Sequence, residues 1–74
     1  MTEARREIKS MIYGKFDTEK DCADAMGWPR QRLNKLTNGK KEPSVSEVVQ
    51  FAHAVDKSVE YVANIFLRMA SPNG

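Results

Sequence analysis

The 74-residue chain has the length of one small domain, residues 1–74, and its single cysteine cannot form an internal disulfide. The sequence contains no Cys/His cluster for zinc and no apolar stretch of the roughly 18–20 residues that cross a bilayer, so we expect no metal, no other cofactor and no membrane span. The net charge is only +2, but residues 30–41 contain five basic residues and no acidic one, which leaves −3 on the rest of the chain.

The basic segment at residues 30–41 predicts a surface that meets a polyanion, although a solvated helix face would have a similar composition. A free thiol together with the lack of a signal peptide favours a cytoplasmic protein.

The first predicted helix begins after Thr2, a residue type that caps helices, and ends at Gly14. Its apolar residues recur at helical spacing and form one stripe, Ala4, Ile8, Met11 and Ile12. At the other end of the chain, residues 71–74 contain Pro and Gly and are predicted to form a flexible tail.

A second helix is predicted to open at Thr18, which stands three residues before Asp21 in a weak variant of the capping box. Its inward side would consist of Cys22, Ala23 and Met26. Gly27 then supplies the left-handed backbone of a tight turn. We expect Trp28, which follows in this turn, to wedge between the second and third helices.

A third helix is predicted from about Pro29 to Thr37, because proline fixes φ at a helix start. Leu33 and Leu36 share its inner side. The opposite side is polar, contains no acid and consists of Gln31, Asn34, Lys35 and Asn38, flanked by Arg30 and Arg32. The pair that follows Thr37, Asn38 and Gly39, is a strong helix stop.

Two further helices follow a basic loop. Ser44 and Glu47 have capping-box spacing and open the fourth helix, whose inward residues are predicted to be Val45, Val48, Val49, Ala52 and Val55. Ser58 caps the fifth, with an apolar stripe of Val59, Val62, Ala63, Phe66 and Met69. Five short helices with tight connections predict a compact all-α domain.

Residues 18–38 have the pattern of a helix-turn-helix motif, in which a glycine turn joins two short helices and the second fits the major groove of DNA. Residues 18–66 resemble the lambda-repressor-like Cro/repressor family, also called the XRE family. The residues that carry the resemblance are Ala23, Gly27, Leu33, Asn38, Gly39, Lys40, Pro43 and Ser44, followed by the runs 51–55 and 58–62. The resemblance implies a phage- or mobile-element-type transcriptional regulator that binds double-stranded operator DNA.

Carried over to this chain, the resemblance implies that Arg30, Gln31 and Lys35 reach base edges, although Lys35 could contact a phosphate instead. It implies DNA-backbone contacts for Arg32, Asn34, Asn38, Lys40 and Lys41, with Asn38 acting partly through its backbone N–H. Arginine pairs with guanine and glutamine with adenine in the major groove, which agrees with these roles. Two residues depart from the family pattern. Glu19 replaces a phosphate-binding Gln and is left out of the site, and Pro29 replaces a common Ser or Thr cap.

The remaining polar residues do not predict an enzyme. Cys22 is expected in the core, and His53, the only histidine, is far from it in sequence. We expect a homodimer, since late helices commonly pair family members, with candidate residues Tyr61, Ile65 and Arg68; partial burial in the core is the alternative for these positions. An alternative function is a protein-binding module of the same fold, such as an antitoxin or antirepressor, favoured by Glu19 and the low net charge.

Overall fold

Residues 3–70 are described by a computed structural model of the chain. Within that range the chain forms five helices and no strand, which confirms the predicted all-α class. The helices are α1 (Glu3–Lys15), α2 (Glu19–Met26), α3 (Arg30–Thr37), α4 (Val45–Ala54) and α5 (Val59–Ala70). The predicted Thr2 cap and the tail at 71–74 lie outside the described residues.

The first helix does not end at Gly14, as predicted, but continues through it to Lys15. Gly14 is exposed, and the Phe16 N–H still donates to the Ile12 carbonyl at 2.7 Å, so the helical pattern continues past the glycine. A helical glycine costs about 1 kcal/mol relative to alanine, and here the buried stripe of α1 outweighs that preference.

The turn between α2 and α3 follows from its sequence. The Thr18 hydroxyl accepts a hydrogen bond from the Asp21 N–H at 3.1 Å, as the predicted cap requires. Gly27 adopts φ +73°, and the Trp28 N–H donates to the Ala23 carbonyl at 2.9 Å, which closes the end of α2 in the Schellman pattern. Pro29 is extended (φ −62°, ψ 144°), so α3 begins one residue later than predicted.

Hydroxyl caps also begin the last two helices. At α4 the capping box is complete, since the Ser44 hydroxyl accepts from the Glu47 N–H at 3.2 Å and the Glu47 carboxylate accepts from the Ser44 N–H at 2.9 Å. The Ser58 hydroxyl accepts from the Tyr61 N–H at 3.1 Å. The prediction for Val45 is wrong: its side chain is 81% exposed, because the buried side of α4 begins only at Glu47.

The core joins all five helices and fixes the position of α3. Leu33 and Leu36 of α3 are buried in it, and Phe51 of α4 meets Phe66 of α5 edge to face with ring centroids 5.8 Å apart. Ile65 is only 1% exposed and therefore belongs to this core. No helix within residues 3–70 combines the length and apolarity needed to cross a bilayer.

Candidate nucleic-acid interface

The two sides of α3 differ in burial as its sequence predicts. Leu33 and Leu36 are 0% and 1% exposed, whereas Arg30, Gln31 and Lys35 all project to solvent. The Gly27 turn and the packing of the two leucines set this orientation, because rotation of α3 about its axis would expose the leucines. The three residues expected to reach bases therefore lie on one open side of the helix.

These residues line an open depression of about 560 Å³ on the surface. Its lining consists of Arg30, Gln31, Asn34, Lys35 and Lys40. We call this surface the basic face. It brings the three predicted base-reading residues together with two of the five predicted backbone-contacting residues, and none of its five residues is acidic.

The cations of the basic face are not neutralised by the protein. Within residues 3–70, the side chains of Arg30, Lys35 and Lys40 form no hydrogen bond and no ion pair. Their positive charges therefore face solvent and can be met by a ligand. Phosphates of a nucleic acid would release condensed counterions on such contact, which is the main source of sequence-independent DNA affinity.

The two asparagines at the edge of α3 are engaged inside the protein. The Asn38 amide donates to Asn34 Oδ1 at 3.0 Å, and Arg5 of α1 donates to Asn38 Oδ1 at 2.7 Å. The Asn38 backbone N–H, expected to hold a phosphate, donates to the Asn34 carbonyl at 3.0 Å instead. It completes the last turn of α3 and is already used there. These bonds tie the end of α3 to α1.

Two other predicted backbone-contacting residues meet at a buried carboxylate. Glu47 of α4 has a side chain only 4% exposed, and its Oε2 accepts from Arg32 Nε (3.0 Å), Arg32 Nη2 (2.8 Å) and Lys41 Nζ (2.9 Å). Its Oε1 accepts from the Ser44 N–H. The side chains of Arg32 and Lys41 are still more than 40% exposed, but their charged groups are directed at Glu47.

An aromatic ring completes this cluster. The Arg32 guanidinium lies over the Trp28 ring, 4.2 Å from its centroid, and the Trp28 indole N–H donates to Gln50 Oε1 of α4 at 2.8 Å. Trp28 is buried as predicted, but its polar end joins the turn to α4. We call the set Trp28, Arg32, Lys41, Glu47 and Gln50 the Glu47 cluster.

The pKa of the Glu47 carboxyl falls from 4.5 to about 2. The Ser44 N–H makes the largest contribution, the hydrogen bonds from Lys41 and Arg32 lower the pKa further, and burial opposes them. The spacing of Ser44 and Glu47 predicts only a helix cap. The partners of Glu47, 15 and 6 residues upstream, have no spacing signal, because they meet it only through tertiary packing.

Glu19, the residue excluded from the site, lies at the start of α2 beside the basic face. Its side chain is only 13% exposed and turned inward, with Lys9 Nζ 4.0 Å from Oε2 and the Thr37 hydroxyl 3.4 Å from Oε1, although the one proton of that hydroxyl has a nearer acceptor in the Asn34 carbonyl at 3.1 Å. Tyr13 of α1, which no sequence pattern singled out, is 55% exposed. It lines a second depression of about 380 Å³, whose lining shares Arg30 and Asn34 with the basic face.

The lone cysteine takes no part in this surface. Cys22 is fully buried, and burial, with a smaller contribution from the Glu19 charge, raises the pKa of its thiol to about 11. A thiol in this state is a poor nucleophile at neutral pH. The side chains described in residues 3–70 also include no group of His, Cys, Asp or Glu able to hold a metal ion.

The fold and this surface define a helix-turn-helix domain with an exposed, acid-free second helix. A family model described as Helix-turn-helix matches residues 18–72, about three quarters of the chain. The chain therefore belongs to the lambda-repressor-like (XRE) helix-turn-helix family of DNA-binding regulators, as its residue pattern predicted. Neither a curated protein nor a solved structure matches it significantly.

Proposed function

We propose that the protein is a sequence-specific transcriptional regulator, similar to Cro or a short repressor, that inserts α3 into the major groove of operator DNA. The observation that supports this function best is the basic face, where Arg30, Gln31 and Lys35 project from an acid-free helix and Lys40 from the loop after it, with no partner for the three cations within residues 3–70. A major groove about 12 Å wide admits one α-helix, and its base edges offer acceptors that suit such donors.

Each residue of the basic face has a proposed role. Arg30 and Gln31, in the first turn of α3, read base edges, since arginine can pair bidentately with guanine and glutamine with adenine. Lys35, one turn later, contacts a base or a phosphate. Lys40, in the loop after α3, holds a phosphate.

The experiment begins with in-vitro selection of duplex sites from a random library, followed by fluorescence-anisotropy titrations. On a selected site, Arg30→Ala is expected to weaken binding by about tenfold to a hundredfold, the value of one bidentate base contact, with a clearly smaller loss on a scrambled duplex, where only one positive charge is removed. Lys57→Ala is the matched control, because it removes one exposed positive charge from the α4–α5 turn, away from the basic face. Equal effects of the two variants would contradict the assignment of Arg30.

Lys40→Ala separates phosphate contact from base contact. It is expected to weaken binding to selected and scrambled duplexes alike, and to flatten the slope of log affinity against log salt by about one. A selective loss on the selected site would show instead that Lys40 reads a base.

We further propose a homodimer, because two copies double the surface on DNA and set half-sites about one helical turn apart. Tyr61 is 46% exposed and stays a candidate, and Leu67, at 67%, is a further large apolar side chain on α5. Ile65 is withdrawn because it is buried, and Arg68 already pairs with Glu7 at 2.9 Å. A palindromic selected site would support the dimer, and sedimentation of a strict monomer both free and on that site would contradict it.

The alternative of a protein-binding module without strong DNA affinity predicts no salt-dependent binding to any duplex. Its support is the negative charge of Glu19 together with the low net charge of the chain, and the three cations of the basic face that have no partner within residues 3–70 weigh against it. The titrations above therefore distinguish the two functions directly.

A further inference from the structure

The Glu47 cluster uses cations of the most basic segment of the chain to bind a buried acid. Residues 30–41 carry five cations, and two of them, Arg32 and Lys41, are directed at one buried acid rather than at solvent. Burying an ion pair is expensive, and its net contribution to stability is often small. The arrangement therefore withdraws two of the five cations from the charge that this segment can offer to DNA.

The geometry of the carboxylate indicates what the cluster does. One oxygen of Glu47 receives all three bonds from Arg32 and Lys41, and the other receives the Ser44 N–H, so both oxygens are occupied. Arg32 is on α3, Lys41 is in the loop after it, and Glu47 is on α4. A single buried atom thus fixes three segments relative to each other.

The aromatic side of the cluster adds a second constraint on the same arginine. The Arg32 guanidinium is held between the Glu47 carboxylate and the face of Trp28, and Trp28 is itself bonded to Gln50 of α4. Arg32 can therefore rotate neither toward solvent nor along α3 without breaking a charged bond. Lys41, bonded to the same oxygen, immobilises the loop position next to Lys40.

We propose that Glu47 is a positioning residue for DNA recognition, an inference that rests on the proposed function. Glu47 withdraws Arg32 and Lys41 from phosphate contact and uses them to fix the angle of α3 and the path of the loop that carries Lys40. The cluster thus lowers non-specific affinity and holds the basic face in the geometry that base readout needs.

The test is Glu47→Gln, which keeps the shape of the side chain and removes its charge, titrated on a selected and a scrambled duplex. Because Arg32 and Lys41 are released, affinity for the scrambled duplex is expected to rise about threefold to tenfold, with a salt slope steeper by about one. The ratio of specific to non-specific affinity is expected to fall about tenfold, the order of one misplaced base contact. Loss of stability alone does not raise affinity for any duplex.

Two matched variants isolate the cause. Ser44→Ala removes the hydroxyl of the cap but leaves the Ser44 N–H and both cation bonds to Glu47, so its affinity ratio is expected to match the unaltered protein. The double variant Glu47→Gln/Arg32→Gln has the net charge of the unaltered protein. Its scrambled-duplex affinity is expected to return to within about threefold of that protein, with the specificity still reduced.

A spectroscopic readout tests the cluster without DNA. The Arg32 Nε–H proton is expected to give a protected NMR signal in the unaltered protein, and that signal should disappear in Glu47→Gln. If Glu47→Gln does not fold, Lys41→Gln is compared with Lys40→Gln. The Lys41 variant should flatten the salt slope by less than half as much as the Lys40 variant.

The outcomes separate the two proposals. A folded Glu47→Gln variant with an unchanged affinity ratio overturns the positioning role, and so does equal flattening by Lys41→Gln and Lys40→Gln. An unaltered protein with no salt-dependent affinity for any duplex overturns the proposed function itself, and the positioning role with it.

Discussion

Two glutamates lie beside α3, and they differ in the strength of their contacts with basic side chains. At the junction of α3 and α4, Glu47 is almost fully buried and accepts charged bonds of 2.8 to 3.0 Å. At the start of α2, Glu19 has a side chain 13% exposed, its nearest cation lies 4.0 Å away and the Thr37 hydroxyl lies 3.4 Å away. Both stand in the first turn of a helix, where a negative charge is favourable.

The difference shows that an acid beside a DNA-binding helix has two distinct consequences. Glu47 is compensated twice over, so its cluster keeps a positive net charge and a fixed geometry. Glu19 is held loosely by Lys9 and Thr37, so much of its charge remains uncompensated beside the basic face. We therefore expect Glu47 to dominate stability and Glu19 to tune affinity.

The largest expected effect is on folding. Glu47→Ala removes the charged hydrogen bonds of Arg32 and Lys41 and half of the capping box, so the free energy of unfolding should fall by about 2–3 kcal/mol. Urea denaturation followed by fluorescence of Trp28, the only tryptophan, measures it. Glu60→Ala, in the exposed first turn of α5, is the control and should change stability by less than about 0.5 kcal/mol.

The Glu47 carboxylate should also make the free energy of unfolding depend on pH. The folded pKa of Glu47 is about 2 against 4.5 for the free group, so the unfolded chain takes up the proton first as pH falls. Stability from this group is complete above about pH 5 and is lost between that pH and about 2, a loss of about 2–3 kcal/mol. Glu47→Gln should remove most of this slope in urea titrations across that range. A variant with the full slope would assign it to other carboxyls.

Much of this architecture could be predicted from local sequence. The caps at Thr18, Ser44 and Ser58, and the turn at Gly27, act within three or four residues, so the pattern alone places the helices. Helix ends that depend on packing could not be predicted in this way. The first helix passes through Gly14, its predicted end, because its buried stripe outweighs a weak local preference.

The DNA-facing surface was harder to predict, because tertiary contacts decide which basic residues face solvent and which pair with Glu47. Spacing correctly placed Gln31 and Lys35 on the open side of α3, with Arg30 beside them. It could not separate them from Arg32, whose partner is 15 residues away, or find Tyr13, which reaches the same surface from α1. A count of basic residues therefore overstates the charge that this segment offers to DNA.

The smallest expected effect concerns Glu19. Glu19→Gln removes a weakly compensated charge beside the basic face, so affinity for selected and scrambled duplexes should both rise by about threefold to tenfold in anisotropy titrations. Stability should change by less than about 0.5 kcal/mol, because the Lys9 contact is long and partly exposed. Glu60→Gln makes the same charge change on α5 and should leave DNA affinity within about twofold. Equal gains from both variants would mean that net charge alone sets affinity, and the contrast between the two glutamates at α3 would then concern folding only.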